Sequence, residues 1–123
     1  MVLDYRKPNH SDHLRSLFGA INGSHGGIDL YGVVEIKESR HDSPNPMFTV
    51  DPGYNPEYWL FYHHISNEYN LVRNESIDNK MNGKKRGFRL TQIRKMSIFN
   101  STDNTEIKSK IDKIVSQYFE KLA

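Results

Sequence analysis

The chain contains no cysteine. Disulfides and thiolate metal sites are therefore excluded, and the usage fits a reducing compartment such as the cytoplasm. No apolar run is long enough to cross a bilayer. The start does not read as a signal peptide either, because Val2 and Leu3 give way at once to Asp4, Arg6 and Lys7. Internal repeats and low-complexity tracts are absent as well. Acid is missing from one stretch in particular. Between Asn79 and Thr102 there is no Asp or Glu, while Lys80, Lys84, Lys85, Arg86, Arg89, Arg94 and Lys95 all fall there. Such a local excess of cations is the electrostatic footprint expected for a polyanion, although a solvated charged surface carries the same composition.

What is present bounds the architecture. With 123 residues, 36% hydrophobic and 26% charged, the chain has the material for one globular domain over residues 1–123 with one core. A helix is expected from Ser11 to Asn22, capped by Ser11 or Asn9, with Leu14, Leu17, Phe18 and Ile21 on one face and Gly23 at its end. The segment Ser24-His25-Gly26-Gly27 lacks a Walker lysine and a following helix, so a nucleotide site is not expected there. Pro44, Pro46, Pro52 and Pro56 forbid helix between Glu38 and Glu57 and leave room for a short strand, Met47 to Val50. A connection this long is usually functional or disordered.

Tyr58 to Ile65 is aromatic-rich and apolar on both faces, which predicts a central strand. Asn67-Glu68 turns the chain into a second strand, Tyr69 to Arg73, to give a hairpin. His63 and His64, adjacent on a strand, face opposite ways, so at most one of them can join a metal site. Asn74 to Lys85 reads as a polar connection turning at Asn82-Gly83. Gly87 to Ile93 reads as a short strand, and Met96 to Phe99 as another or its continuation. Asp103, with Glu106 three residues on, predicts a capped helix. Its stripe runs through Ile107, Ile111, Ile114, Val115, Tyr118, Phe119 and Leu122. The order of elements gives an α+β fold, a small mixed sheet flanked by an N-terminal and a C-terminal helix.

The stretch with most chemical content is Gly27 to Lys37. Val33 to Lys37 alternates strictly, so Val33, Glu35 and Lys37 project from one face of a strand and Val34 and Ile36 from the other. Charge on an otherwise apolar strand is expensive unless it is paired or binds a metal. A turn at Tyr31-Gly32 would bring Asp29 to the same point, and two converging carboxylates make a hard-oxygen site suited to Mg²⁺. The plainer reading is an edge strand with a solvated, salt-bridged face.

Asp29, a spacer of five, then Glu35-Ile36-Lys37 resembles the D…(D/E)-x-K signature of the PD-(D/E)xK nucleases. It is most similar to the branch with the methyl-directed mismatch-repair nicking enzyme and some type II restriction enzymes. The resemblance covers roughly residues 11 to 73 and implies a restriction-endonuclease-like core. It also implies a Mg²⁺-dependent DNA endonuclease in which Asp29 and Glu35 hold the metal, helped by the carbonyl of Ile36, and Lys37 positions or polarises the attacking water. Lys84, Lys85, Arg86, Arg89, Arg94 and Lys95 would hold the DNA backbone. A homodimer would serve double-strand cleavage, with the last helix as interface. The chain departs from the pattern in having Ile28 where the family has proline, and only Asp12 as an acid on the first helix.

Other readings remain. Tyr58-Trp59-Leu60-Phe61-Tyr62 and Gly87-Phe88-Arg89-Leu90-Thr91-Gln92-Ile93-Arg94 are similar to the WYL domain, an SH3-like barrel that binds ligands or nucleic acid without catalysis. That resemblance requires the Trp59 and Phe88 strands to be adjacent, with Arg86, Arg89 and Arg94 around a pocket. An HNH nuclease built on His63-His64-Ile65 with Asn67 and Asn70 lacks its later helix residues. A phage-type inhibitor that binds a nuclease without turnover is also compatible with the sequence.

Overall fold

The computed structural model of the chain describes Leu14 and residues 33–39, 42–53 and 55–122. The described chain is α+β. Its elements are β1 (Val34–Ser39), β2 (Met47–Val50), β3 (Tyr58–His63), β4 (Glu68–Arg73), α1 (Asn74–Met81), β5 (Arg86–Arg89), α2 (Leu90–Met96), β6 (Phe99–Ser101) and α3 (Asn104–Leu122). Four strands form a mixed sheet in the order β1-β3-β4-β6, and β2 and β5 form a separate two-stranded sheet. β1 and β3 run parallel, with Glu35 opposite Trp59 and Lys37 opposite Phe61. β3–β4 and β4–β6 are antiparallel.

β3 is central because both of its faces are apolar. Leu60 and Tyr62 join Val34, Ile36, Tyr69 and Leu71 on one side of the sheet, under Ile107 and Ile111 of α3. Trp59 and Phe61 join Val72 on the other, under Phe48, Phe88, Ile77 and Ile93 from the small sheet, α1 and α2. Two buried layers thus sandwich one sheet. Leu14 is helical and fully buried in the first layer. The rest of the helix expected from Ser11 to Asn22 lies outside the described residues, as do Asp29 and the Tyr31-Gly32 turn.

Several expectations are met closely. β2 spans Met47–Val50, and the β3–β4 hairpin turns at Asn67, whose φ of 53° is left-handed. Asp103 caps α3, its Oδ1 accepting from the backbone N–H groups of Thr105 at 2.9 Å and Glu106 at 3.3 Å. The Glu106 carboxylate does not close a reciprocal box; it accepts the hydroxyl of Ser101. Val33 departs from the alternation: it sits just before β1 and is buried with Val34 and Ile36.

Two readings are corrected. The polar segment after Arg73 is a helix, α1, not a loop. Its apolar side chains are only Ile77 and Met81, four residues apart, which is too sparse to show periodicity; burial of that pair against the Trp59 face decides it. The helix ends at Asn82, φ 53°, followed by Gly83, φ 78°, where the left-handed conformation suits both residues. The strand expected over Gly87 to Ile93 stops at Arg89, and Leu90–Met96 is helical. Its first amides are satisfied by Gln92, whose Oε1 accepts Arg89 N–H, and by the distant Asn45, whose Oδ1 accepts Thr91 N–H. The second contact spans 46 positions and is invisible to local pattern.

Leu60 is fully buried, whereas Ile65 is 51% exposed. Leu60→Ala is expected to cost about 2–5 kcal/mol of stability, and Ile65→Ala less than about 0.5 kcal/mol. Urea denaturation of both variants beside the parent chain measures the difference.

Candidate active site and basic surface

β1 carries Glu35, Lys37 and Ser39 on the face it shares with Trp59, Phe61 and His63 of β3. The same row continues across β4 as Val72, Asn70 and Glu68. Glu35 and Lys37 are half-buried. Beside them, Phe48 packs edge-on against Phe61, the register partner of Lys37, with ring centroids 5.2 Å apart. The two side chains leave the backbone about 6–7 Å apart. Among the described residues Lys37 forms no ion pair, so the Glu35–Lys37 salt bridge of the plainer reading is not made.

Asp29 lies outside the described residues, so its distance to Glu35 is not part of the geometry. Among the described residues no three His, Asp or Glu side chains gather as a metal set. The chemistry of Glu35, a half-buried hard-oxygen donor, fits a Mg²⁺ ligand, and a complete set would need Asp29 beside it.

At the far end of the same face lies a polar cluster that pattern reading did not find. The Glu68 carboxylate accepts Arg94 Nε at 2.8 Å and Nη2 at 2.7 Å, and Asn70 Nδ2 at 2.8 Å. The Arg94 hydrogen bond holds Glu68 below the usual carboxylate range, against the opposing effect of burial. His63 is buried beside it, and neither ring nitrogen has a hydrogen-bond partner, nor does Asn70 Oδ1. Burial lowers the His63 pKa, and His64 and Arg94 add to this while Glu68 opposes it. As expected, the two histidines part company. His64 turns outward, and its Nδ1–H donates to the carbonyl of Ser39 at 2.8 Å, which fixes its tautomer. The signal that could have exposed the cluster is Glu68, one of few acids close to the basic stretch, with alternation placing Asn70 and His63 on its side of the hairpin.

The basic residues have different local partners. Lys84, Lys85, Arg86, Arg89 and Lys95 are exposed. Lys85 faces Asp51 at 3.8 Å, both solvated. Arg86 lies over the Phe88 ring at 5.0 Å and donates to the carbonyl of Lys80 at 2.6 Å. Arg89 donates through Nη1 to the carbonyl of Asn45 at 3.2 Å. Arg94 is turned to Glu68. The Trp59 and Phe88 strands belong to different sheets, so the adjacency that the SH3-like barrel requires is not the arrangement found.

Fold and site together define a small α+β domain with a charged strand at the margin of the sheet formed by the described strands. No protein-family model matches the chain, and no curated protein or solved structure matches it at a significant level. No helix among the described residues is long and apolar enough to cross a membrane.

The polar cluster has a pH signature. His63 has a folded-state pKa below its ordinary 6.5, so its contribution is complete above that value and is lost as pH falls toward the folded pKa. Glu68 loses its contribution lower, as pH falls from 4.5 through its depressed folded value. In chemical denaturation across pH 4 to 8, His63→Phe is expected to flatten the upper slope. It should also match or exceed the parent's stability, because unpartnered buried polar atoms cost about 1–3 kcal/mol. Arg94→Ala should weaken chiefly the lower slope, with a smaller change in the upper one because its charge also lowers the His63 pKa.

Proposed function

We propose that the chain is a Mg²⁺-dependent DNA endonuclease of the PD-(D/E)xK kind, or a DNA-binding domain derived from one. The observation that carries this reading is the placement of Glu35 and Lys37. They share one half-buried face of a strand paired in parallel with the buried central strand, and Lys37 is left without a carboxylate partner among the described residues. An ammonium at the margin of the described sheet, with no counter-ion among the described residues, is suited to an anionic ligand such as a phosphodiester.

In this reading Glu35 would hold the metal with Asp29 and the carbonyl of Ile36. Bound Mg²⁺ supplies Lewis-acid polarisation of the phosphate and acidifies water. The Lys37 ammonium donates to the attacking water, orienting it, and offsets the charge that grows on the phosphate oxygens. Lys84, Lys85, Arg86, Arg89 and Lys95 are exposed and would meet the DNA backbone from solvent, Arg86 and Arg89 with the donors not held by Lys80 and Asn45, whereas Arg94 would have to exchange Glu68 for a phosphate. The cluster around His63 takes no part.

Incubation of the chain with supercoiled plasmid is expected to give nicked or linear product with Mg²⁺ and none with a chelator. Glu35→Ala and Lys37→Ala are each expected to keep the parent's circular dichroism and melting profile while losing at least about a hundredfold in cleavage rate. Cleavage unchanged in either variant would move the chemistry elsewhere, and DNA binding without turnover would favour the non-catalytic form. Affinity for a short duplex should fall steeply between 50 and 200 mM salt, by about tenfold or more for several phosphate contacts. A flat profile would remove nucleic acid as the ligand.

A further inference from the structure

The two-stranded sheet presents a different problem from the strand that carries Glu35. Its inner side is anchored: Phe48, Val50 and Phe88 are buried in the second core layer. Its outer side faces solvent. Met47 stands opposite Arg89 and Thr49 opposite Gly87, and Met47, Thr49 and Arg89 are all exposed. Gly87 has no side chain, and the sulfur of Met47 lies across the space a Cβ would fill, so Met47 lies over the middle of the ribbon. Cations flank it, Lys84 and Lys85 just before β5 and Lys95 on the helix that follows.

The ribbon is also fixed in place. Leu90 N–H donates to the carbonyl of Pro46 at 3.0 Å, and Arg89 Nη1 to that of Asn45 at 3.2 Å. That contact leaves the other donors of the guanidinium fork for a ligand. Its position relative to the charged strand follows from two contacts. Lys37 is the register partner of Phe61, and Phe48 of the ribbon packs on Phe61 at 5.2 Å between centroids. The ribbon therefore lies on the same side of the large sheet as Glu35 and Lys37, one sheet-packing distance of about 10 Å above it.

We propose that the β2–β5 ribbon is the part that enters the major groove of duplex DNA. Arg89 and Thr49 contact base edges there, and Lys84, Lys85 and Lys95 contact the flanking phosphates. The major groove admits a two-stranded ribbon, an arginine fork reads guanine there, and a methionine or threonine methyl can meet the thymine methyl. The phosphate contacts set position while the base contacts discriminate. This rests on the nucleic-acid reading above and gives the protein a sequence preference that the reading alone does not require.

The test uses the full chain and a 30-bp duplex whose central 12 positions are randomised, in Ca²⁺ or chelator so that the DNA survives, with bound and free fractions sequenced. The parent is expected to enrich a short motif about tenfold or more. Arg89→Ala and Thr49→Ala should each lose preference at one or two adjacent positions, and Thr49→Ala, which removes no charge, should bind the unselected pool within about threefold. The double variant Lys84→Ala/Lys85→Ala should bind all sequences more weakly and lower the salt slope by about two, with the motif unchanged. Arg89→Ala gives up its bond to Asn45, so melting is measured alongside, and Thr49→Ala, at an exposed position, serves as the variant free of that concern. Binding of the pool without enrichment, or a motif that survives both Arg89→Ala and Thr49→Ala, overturns the ribbon as reader and leaves the nucleic-acid reading standing. No binding of the pool at low salt overturns the nucleic-acid reading itself.

Discussion

The whole arrangement depends on one strand that is apolar on both sides. Trp59 and Phe61 point into one buried layer, Leu60 and Tyr62 into the other. A strand of that kind has to lie inside a sheet and has to be covered twice. α3 supplies one cover, through Ile107 and Ile111, and the small sheet with α1 and α2 supplies the other. The polar handles of the aromatics are satisfied without disturbing this. Trp59 Nε1 donates to Asn74 Oδ1 at 2.8 Å, and the Tyr62 hydroxyl donates to Asn67 Oδ1 at 2.8 Å.

The charged residues of interest occur where this double cover runs out. Glu35 and Lys37 sit on β1, an outer strand of the described sheet, and keep access to water while their backbone is held by β3. Glu68 and Arg94 sit at the opposite margin of the same face and satisfy each other. The difference between the two margins is chemical. A bidentate guanidinium–carboxylate pair with a third donor from Asn70 is a closed structural unit, whereas Lys37 has no described carboxylate within reach. The first stabilises the join between β4 and α2; the second is left half-buried without a described counter-ion.

The parts of the fold that local sequence makes legible are those whose side chains answer to one element at a time. The alternation of β1, the aromatic run of β3, the Asn67 turn and the stripe of α3 all belong to this kind. α1 and α2 were not legible, because each buries few side chains of its own and depends on partners far along the chain, Trp59 for α1 and Asn45 for α2. The candidate site divides in the same way. The shared face of Glu35 and Lys37 follows from the two-residue period of a strand. The union of His63, Glu68, Asn70 and Arg94 requires β3, β4 and α2 to be placed first.

By itself, the sequence determined the class of fold, the central strand, the final helix and the side of β1 on which its charges stand, since these depend on periodicity and on the cost of exposing apolar side chains. Only the tertiary structure decided that the Trp59 and Phe88 strands belong to separate sheets and that Arg94 is turned to Glu68. It likewise placed the basic ribbon on the same side as Lys37. Those outcomes depend on pairing between residues tens of positions apart, where no local preference of the backbone chooses the partner.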